Sequence, residues 1–175
     1  MRRKDRAVTD TERIKEILDN CKTCHLAMVD GETPYVIPLS YAYTINEAEA
    51  PTLTLFFHSA KEGRKIDILR KSSSICFEMC TEGSPIFAEE TPCNSGYYFS
   101  SVHGFGTVQF VEDLEEKCAA LTHLMKHQAN RDIVFTTAQA DTVCIFKVST
   151  TDFTAKTKPN PAIPANANLK SNHPL

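Results

Sequence analysis

The sequence predicts a mainly β fold with peripheral α-helices, built as a six-stranded antiparallel barrel. Two observations carry this prediction: about six strand-like apolar runs occur along the chain, and most of them follow one another through turns. A doubly wound α/β sheet would instead need a helix after almost every strand. With 175 residues, 42% of them hydrophobic, the chain is long enough to bury one core, so we expect one domain.

The first predicted element is a helix over residues 9–22. Thr9 and Glu12 have the spacing of a capping box, in which each side chain bonds the backbone N–H of the other residue. Apolar residues then recur at three- and four-residue intervals as far as Cys21, which is the period of one helix face. This apolar stripe needs a partner, which we expect to be the sheet that follows.

A β-hairpin is predicted next, because two apolar runs, 24–29 and 33–43, flank the dipeptide Asp30-Gly31. The second run contains Pro38, and proline cannot donate a hydrogen bond to a sheet ladder. We therefore expect the second strand to lie at an edge, or to break, near this residue.

The remaining elements follow from apolar periodicity and turn residues. Strands are predicted at 52–59, 73–80, 97–111 and 142–149, and helices at 60–71 and 114–127. The C-terminal segment is rich in proline and asparagine and has almost no apolar periodicity, which is typical of a mobile or surface-draped tail. The predicted organisation is therefore one domain over residues 1–157 and a tail over 158–175.

Composition excludes several functional classes. The net charge of -3 disfavours a nucleic-acid partner, since a polyanion would be repelled at long range. The sequence contains no apolar stretch typical of a secretory signal and no run of about 18 apolar residues, so we expect no membrane association. Seven cysteines, an odd number, are then most simply interpreted as reduced thiols of a cytoplasmic protein.

The segment Cys21-Lys22-Thr23-Cys24-His25 matches both a haem-attachment pattern and half of a zinc knuckle. Covalent haem attachment of this kind needs export, and zinc needs two further ligands at a matching spacing, whereas no second Cys-x-x-Cys occurs. We therefore interpret the segment as a structural helix-to-strand junction and predict no metal site.

No nucleotide-binding glycine motif of the Rossmann or P-loop type is present. Gly104 and Gly106 lie inside a strand-like run, where they indicate a bulge or a close backbone contact. A different anion site is suggested where an apolar strand runs into a helix start at Ser59, with Arg64 and Lys65 able to reach back toward that end. From these residues alone, a capped helix with solvated basic side chains is favoured over an anion site.

The order of segments along the chain adds a resemblance. Over roughly residues 1–157 the sequence resembles the flavin-binding split-barrel superfamily of pyridoxamine 5'-phosphate oxidase, and within it the nitroimidazole-reductase-like branch. The resemblance rests on Met1 to Arg6 with the following helix, Pro34-Tyr35-Val36-Ile37-Pro38-Leu39-Ser40-Tyr41, Phe57-His58-Ser59-Ala60 followed by Gly63-Arg64-Lys65, and Ser101-Val102-His103-Gly104-Phe105-Gly106 before the helix start at Glu112-Asp113.

The resemblance implies a split barrel that binds flavin mononucleotide (FMN) at a homodimer interface. Backbone groups of residues 36–40 would lie along the isoalloxazine ring, and the segment 58–65 would hold the phosphate, chiefly through Ser59, Arg64 and Lys65. Ser100 and Ser101 would approach from the second subunit, although relatives often carry a basic residue at the position of Ser100. The cofactor-binding residues implied are Val36, Ile37, Pro38, Leu39, Ser40, His58, Ser59, Ala60, Gly63, Arg64, Lys65, Ser100 and Ser101.

The resemblance also places His58 at the flavin. The ordinary pKa of histidine, near 6.5, permits proton exchange at physiological pH, but a hydrogen-bonding, positional role is favoured over a catalytic one. A homodimer is further supported by the long apolar strand over residues 102–111, which would suit a two-fold interface.

Three functions remain open on these grounds. The first is an FMN-dependent oxidoreductase that takes electrons from a reduced nicotinamide cofactor, NAD(P)H, and passes them to a small planar acceptor such as a nitro compound. The second is a flavin carrier or sensor without dedicated turnover. The third, oxidation of pyridoxamine phosphate, is disfavoured because the basic C-terminal strand expected to grip a substrate phosphate is replaced by Asp152-Phe153-Thr154-Ala155-Lys156 and a neutral tail.

Overall fold

The computed structural model describes residues 3–46 and 48–161, which form eight strands and four α-helices. The strands are β1 (Ala7–Val8), β2 (Thr23–Asp30), β3 (Thr33–Ile45), β4 (Leu53–Ser59), β5 (Ser74–Ile86), β6 (Gly96–Val111), β7 (Cys144–Thr150) and β8 (Phe153–Lys158). The helices are α1 (Thr11–Asn20), α2 (Arg64–Lys71), α3 (Leu114–Ala129) and α4 (Thr137–Ala140), with short 3-10 turns at Lys4–Arg6 and Pro92–Asn94.

Six of these strands close into a ring in the order β6-β5-β2-β3-β4-β7, and a β6–β7 pairing completes it. Every pairing is antiparallel. The predicted six-stranded antiparallel barrel is therefore confirmed. The 16-residue strand β6 makes closure possible, because residues 108–111 pair with β7 while the preceding part of the strand pairs with β5.

Two strands and one helix were not predicted. β8 pairs with β6 outside the ring, and the two-residue β1 pairs with β8. Both are short segments without a strong alternating pattern, so their strand conformation depends on the neighbouring strand rather than on local sequence. The four-residue helix α4 is equally short, and a capping box at Thr136 and Gln139 opens it.

The barrel interior is filled by alternate residues of the ring strands. Leu53, Leu55 and Phe57 of β4 point inward and are fully buried, as period-two alternation requires. Helix α1 covers this core with the apolar stripe that the sequence predicted. A second, smaller apolar cluster lies where α3 packs on β3 and β7, and includes Ala42, Ala120, Leu121, Leu124 and Ile145.

Gly104 and Gly106 mark two close contacts inside β6, as expected. A Cβ atom at Gly104 would lie 2.5 Å from the Phe77 ring, and one at Gly106 would lie 2.4 Å from a methyl group of Val148. Only a residue without a side chain lets β6 pack this tightly against the barrel wall.

Strand β3 changes partner partway along its length. Residues 33–40 pair with β2, and residues 41–45 pair with β4. Within the described chain, residues 33–40 therefore have no second strand alongside them, and the barrel is split at this edge. Pro38 lies in this part of β3, so the edge position predicted near the proline is confirmed, whereas the strand itself does not break there.

The predicted starts of helices α1 and α2 both need correction. Helix α1 is capped by Asp10, whose carboxylate accepts from the N–H of Arg13 at 2.9 Å, so the capping box at Thr9 and Glu12 was wrong by one residue. Helix α2 begins at Arg64 and not at residue 60. Gly63 precedes it with φ 122°, a conformation that no helix contains and that favours glycine.

Residues 102–111 of β6 were expected to suit a dimer interface, but their valines are buried in the protein. Val102, Val108 and Val111 of β6 are buried, whereas Phe105, between them, is half exposed. The alternating pleat turns Val102 and Val108 into the barrel, and Val111 packs in the cluster under α3, so these valines do not form an apolar outer face. The buried valines therefore do not support a homodimer, and the homodimer stays a prediction.

The proposed domain boundary falls at the end of β8, which runs to Lys158. Residues 162–175, most of the predicted tail, lie outside the described residues. None of the helices in residues 3–46 and 48–161 is both long and apolar enough to cross a membrane.

Candidate functional site

The candidate site lies where β3 and β4 separate. These two strands pair as far as Tyr41 and Phe57, so Ser40 and His58 are the first residues beyond their last pair. Both side chains are exposed, and His58 still pairs through its backbone with Ile145 of β7. The split therefore brings together the two segments, 36–40 and 58–65, that the resemblance assigned to one ligand.

We call residues 33–40, which pair only with β2, the open half of β3. One edge of its backbone is free for a ligand, while alternate side chains anchor the strand in the core. Val36 is 57% exposed, and Pro38 and Ser40 are exposed as well. Ile37 and Leu39 point the other way, are half-buried and pack against the main core. A flat ligand can thus approach the free strand edge while the inward side chains keep the strand in place. Pro38 has no N–H and can contribute only its carbonyl.

The segment that follows β4 leads to an uncapped helix start. Ser59 is buried at the end of β4, and its hydroxyl donates to the carbonyl of Ala60 at 2.8 Å. Residues 60–63 are exposed, and Gly63, the N-cap of α2, has no side chain to accept from the helix. The first intrahelical bond runs from the N–H of Ile66 to the Gly63 carbonyl, at 2.9 Å. Ser59 thus lies four residues before the N-cap, not at the helix start, where it was expected.

This helix start has the properties of an anion site. The N–H groups of Arg64 and Lys65 precede the first intrahelical bond and have no acceptor in the described residues. Such free N–H groups, together with the helix dipole, favour a phosphate. Lys65 is half-buried and, within the same residues, its ammonium group has no hydrogen bond or ion pair. The donor set therefore fits a phosphate group.

Arg64 is already engaged with the β2–β3 hairpin. Its Nε donates to the Asp30 carboxylate at 3.1 Å, and its guanidinium carbon lies 4.6 Å from the centre of the Tyr35 ring. Asp30 and Tyr35 were not identified as site residues from the sequence. No local pattern could have identified them, because they lie about 30 positions before Arg64 and meet it only in the folded chain.

Within one chain, Ser100 and Ser101 do not lie at the split. They lie in β6, and two strands, β5 and β2, separate β6 from β3 in the sheet. The hydroxyl of Ser100 contacts the hydroxyl of Thr157 at 3.0 Å. A role for either serine at the site therefore depends on a second subunit, and this stays a prediction.

Cys21 and Cys24 lie at the junction between α1 and β2, as expected, and both are buried in the core. Burial is the main cause that raises the pKa of the Cys21 thiol to about 12, and burial also raises the pKa of the Cys24 thiol. His127 of α3 covers the junction, and one of its ring nitrogens lies 3.1 Å from the Cys21 carbonyl oxygen. Across the residues that the structure describes, no three His, Cys, Asp or Glu side chains are grouped as a metal site requires.

Comparison with known proteins identifies the family. The family model described as pyridoxamine 5'-phosphate oxidase matches residues 10–157. A comparison with curated proteins found no significant match.

Solved structures share the fold. One is a candidate 5-nitroimidazole antibiotic resistance protein from Bacteroides thetaiotaomicron, with 28% sequence identity, a TM-score of 0.72 and coverage of 86% of each chain. Two others are the flavocytochrome Anf3 from Azotobacter vinelandii, with 19% identity, a TM-score of 0.73 and coverage of 96% of this chain and 76% of that one, and an FAD and heme binding protein from Mycobacterium smegmatis, with 15% identity, a TM-score of 0.71 and coverage of 94% and 78%. At these lower identities the likeness shows the fold alone. The match over residues 10–157, together with the split six-stranded barrel, establishes that the chain belongs to the pyridoxamine 5'-phosphate oxidase-like family.

Proposed function

We propose that the protein binds FMN at the split of the barrel and acts as an FMN-dependent oxidoreductase. The observation that carries this proposal is the contact between Arg64, at the uncapped start of α2, and Tyr35, at the open half of β3. An anion site thus adjoins a free strand edge. This combination fits a ligand with a phosphate at one end and a flat, hydrogen-bonding ring at the other, and FMN is such a ligand.

Each segment has a separate role in this proposal. Backbone groups of residues 36–40, chiefly those of Ile37, Pro38 and Leu39, bind and orient the ring. The free N–H groups at the start of α2, with the side chains of Arg64 and Lys65, bind the phosphate. Bound flavin supplies hydride and single-electron chemistry. His58, at the split, holds or moves a proton at one of its ring nitrogens.

The proposed reaction takes electrons from NAD(P)H and delivers them to a small planar acceptor resembling a nitro compound. The structural likeness to a candidate 5-nitroimidazole resistance protein, at 28% identity, supports this class of acceptor. The exposed strand edge also supports it, because a flat molecule can reach the site without a deep channel.

The test is the absorption spectrum of the purified protein, recorded under nitrogen before and after NAD(P)H is added. A bound flavin spectrum that bleaches with NAD(P)H, and returns when a nitroaromatic acceptor is added, supports the oxidoreductase. Protein that neither contains flavin nor binds added FMN would contradict the proposal as a whole.

A carrier or sensor is the second candidate, and one observation favours it. The His58 side chain has no hydrogen-bond partner in the described part of the chain, so no neighbouring group orients its ring as a second residue usually does in acid–base catalysis. Flavin that is bound but not bleached by NAD(P)H would support this alternative.

We further propose a homodimer, in which Ser100 and Ser101 of one subunit complete the site of the other. The separation of β6 from β3 within one chain supports this arrangement. Analytical ultracentrifugation tests it, and a monomer that binds one FMN per chain would contradict it. A cytoplasmic location belongs to the same proposal and is supported by the seven free thiols.

A further inference from the structure

The Arg64 side chain is held on two sides although it is largely exposed. The Asp30 carboxylate accepts from Nε, and the face of the Tyr35 ring lies under the guanidinium group. An arginine has five N–H donors, so this arrangement leaves the four N–H groups of the two Nη atoms for a ligand. Lys65, the neighbouring cation, has no comparable contact in the described residues.

The ion pair with Asp30 is not enough to account for this arrangement. The side chain of Arg64 is 58% exposed and that of Asp30 is 34% exposed, and ion pairs at such positions contribute little to folding. The pair also puts a carboxylate beside a site that we expect to take an anion. The aromatic contact differs, because it holds the guanidinium group without consuming a donor or adding negative charge.

Tyr35 is well suited to hold another side chain. It lies in β3, pairs with Met28 of β2, and packs its half-buried side chain against the main core. The next residue, Val36, begins the segment proposed to meet the flavin ring. The ring of Tyr35 therefore has a fixed position relative to both the strand edge and the start of α2.

We propose that Tyr35 is a positioning residue for phosphate recognition: its ring holds the Arg64 guanidinium so that the two Nη groups meet the flavin phosphate. A long side chain ordered before binding loses less conformational freedom when the ligand arrives. The contribution of Arg64 to FMN binding thus depends on a residue of the ring-binding strand. This inference rests on the proposed function, because it assumes that FMN is the ligand.

The test compares FMN with riboflavin, which lacks the phosphate, by fluorescence titration of the whole protein. Tyr35→Leu should raise the Kd for FMN about two- to fivefold and leave the Kd for riboflavin unchanged. Tyr35→Phe retains the ring face and should bind both ligands like the wild type. In an Arg64→Ala background, Tyr35→Leu should have no further effect on FMN.

Two results would overturn the inference while the proposed function stands. In the first, Tyr35→Leu weakens FMN and riboflavin alike, which would mean that it disturbs the ring-binding strand. In the second, it weakens FMN equally with and without Arg64, so that its effect does not pass through the guanidinium group. A wild-type protein that binds neither flavin would contradict the proposed function and the inference with it.

Discussion

The two halves of β3 have opposite environments although they belong to one continuous strand. Residues 41–45 pair with β4; Tyr41 is buried in the main core, and Ala42 is buried on the other face, under helix α3. Residues 33–40 pair with β2 alone, and their outward side chains, such as Val36, are exposed. The closed half belongs to the core, and the open half carries the candidate site.

The comparison shows how one strand serves stability and binding together. The Tyr41 hydroxyl donates to the Leu18 carbonyl at 2.8 Å, and the Tyr41 ring lies 4.8 Å from that of His127. Gln128 donates to the Tyr41 carbonyl at 2.8 Å. These contacts fix the closed half, and the open half, as its direct continuation, keeps its position without a second strand partner.

The largest expected effect is on the closed half. Tyr41→Ala removes a fully buried aromatic ring and its hydrogen bond, so we expect the free energy of unfolding to fall by about 3–5 kcal/mol. Urea denaturation followed by circular dichroism measures this change. Val36→Ala is the control in the open half and should change stability by about 0.5 kcal/mol or less. Similar losses for the two variants would contradict the division of β3.

The second prediction concerns the anion site beside the open half. Lys65→Ala should raise the Kd for FMN about ten- to a hundredfold, because a charge-assisted hydrogen bond contributes about 1.5–3 kcal/mol. Riboflavin has no phosphate, so its weaker binding should stay unchanged. The melting temperature of the ligand-free variant must be measured in parallel. Equal losses for both flavins, or no loss for either, would place the phosphate elsewhere.

The third prediction uses pH to test the role of His127, which packs against Tyr41 in the closed half of β3. Burial is the main cause that lowers the pKa of His127 below its ordinary 6.5, and the neighbouring Lys22 adds to it. As the pH falls below about 6.5, His127 therefore takes up a proton more readily in the unfolded chain than in the native state. His127 therefore does not reduce the free energy of unfolding above about pH 6.5. Below that pH, the free energy of unfolding falls until the pH reaches the native pKa of His127.

His127→Gln removes this proton linkage. Between about pH 7.5 and about pH 5.5, the wild type should lose more unfolding free energy than the variant does. Urea denaturation at several pH values measures the difference. Parallel pH profiles for the two proteins would show that His127 does not couple protonation to folding.

The smallest expected effect is at Ser40, the last residue of the open half. If the backbone alone meets the flavin ring, Ser40→Ala should leave the Kd for FMN unchanged and alter stability by less than about 0.5 kcal/mol. Flavin fluorescence titration and thermal unfolding check both expectations. A clear loss of affinity would mean that this hydroxyl is itself part of the site.

The sequence by itself determined the type of each long element and the class of the fold. Alternating apolar residues in β4 and the three- and four-residue spacing in α1 are local patterns that set which face is buried. Asp30-Gly31 likewise predicted the hairpin, and Pro38 predicted an edge position for this part of β3, because turn conformation and a missing N–H act locally. The order of the motifs was enough to indicate the family and the segments of the candidate site.

Only the tertiary structure decided how those segments meet. The pairing of β8 with β6 and the contact of Arg64 with Tyr35 join residues far apart in the chain, and no local pattern encodes such a distance. The start of α2 moved from residue 60 to Arg64 because Gly63 adopts a conformation that a helix cannot contain. The inward turn of Val102 and Val108 in β6 followed from barrel closure, since an apolar strand alone does not say which of its faces meets the core.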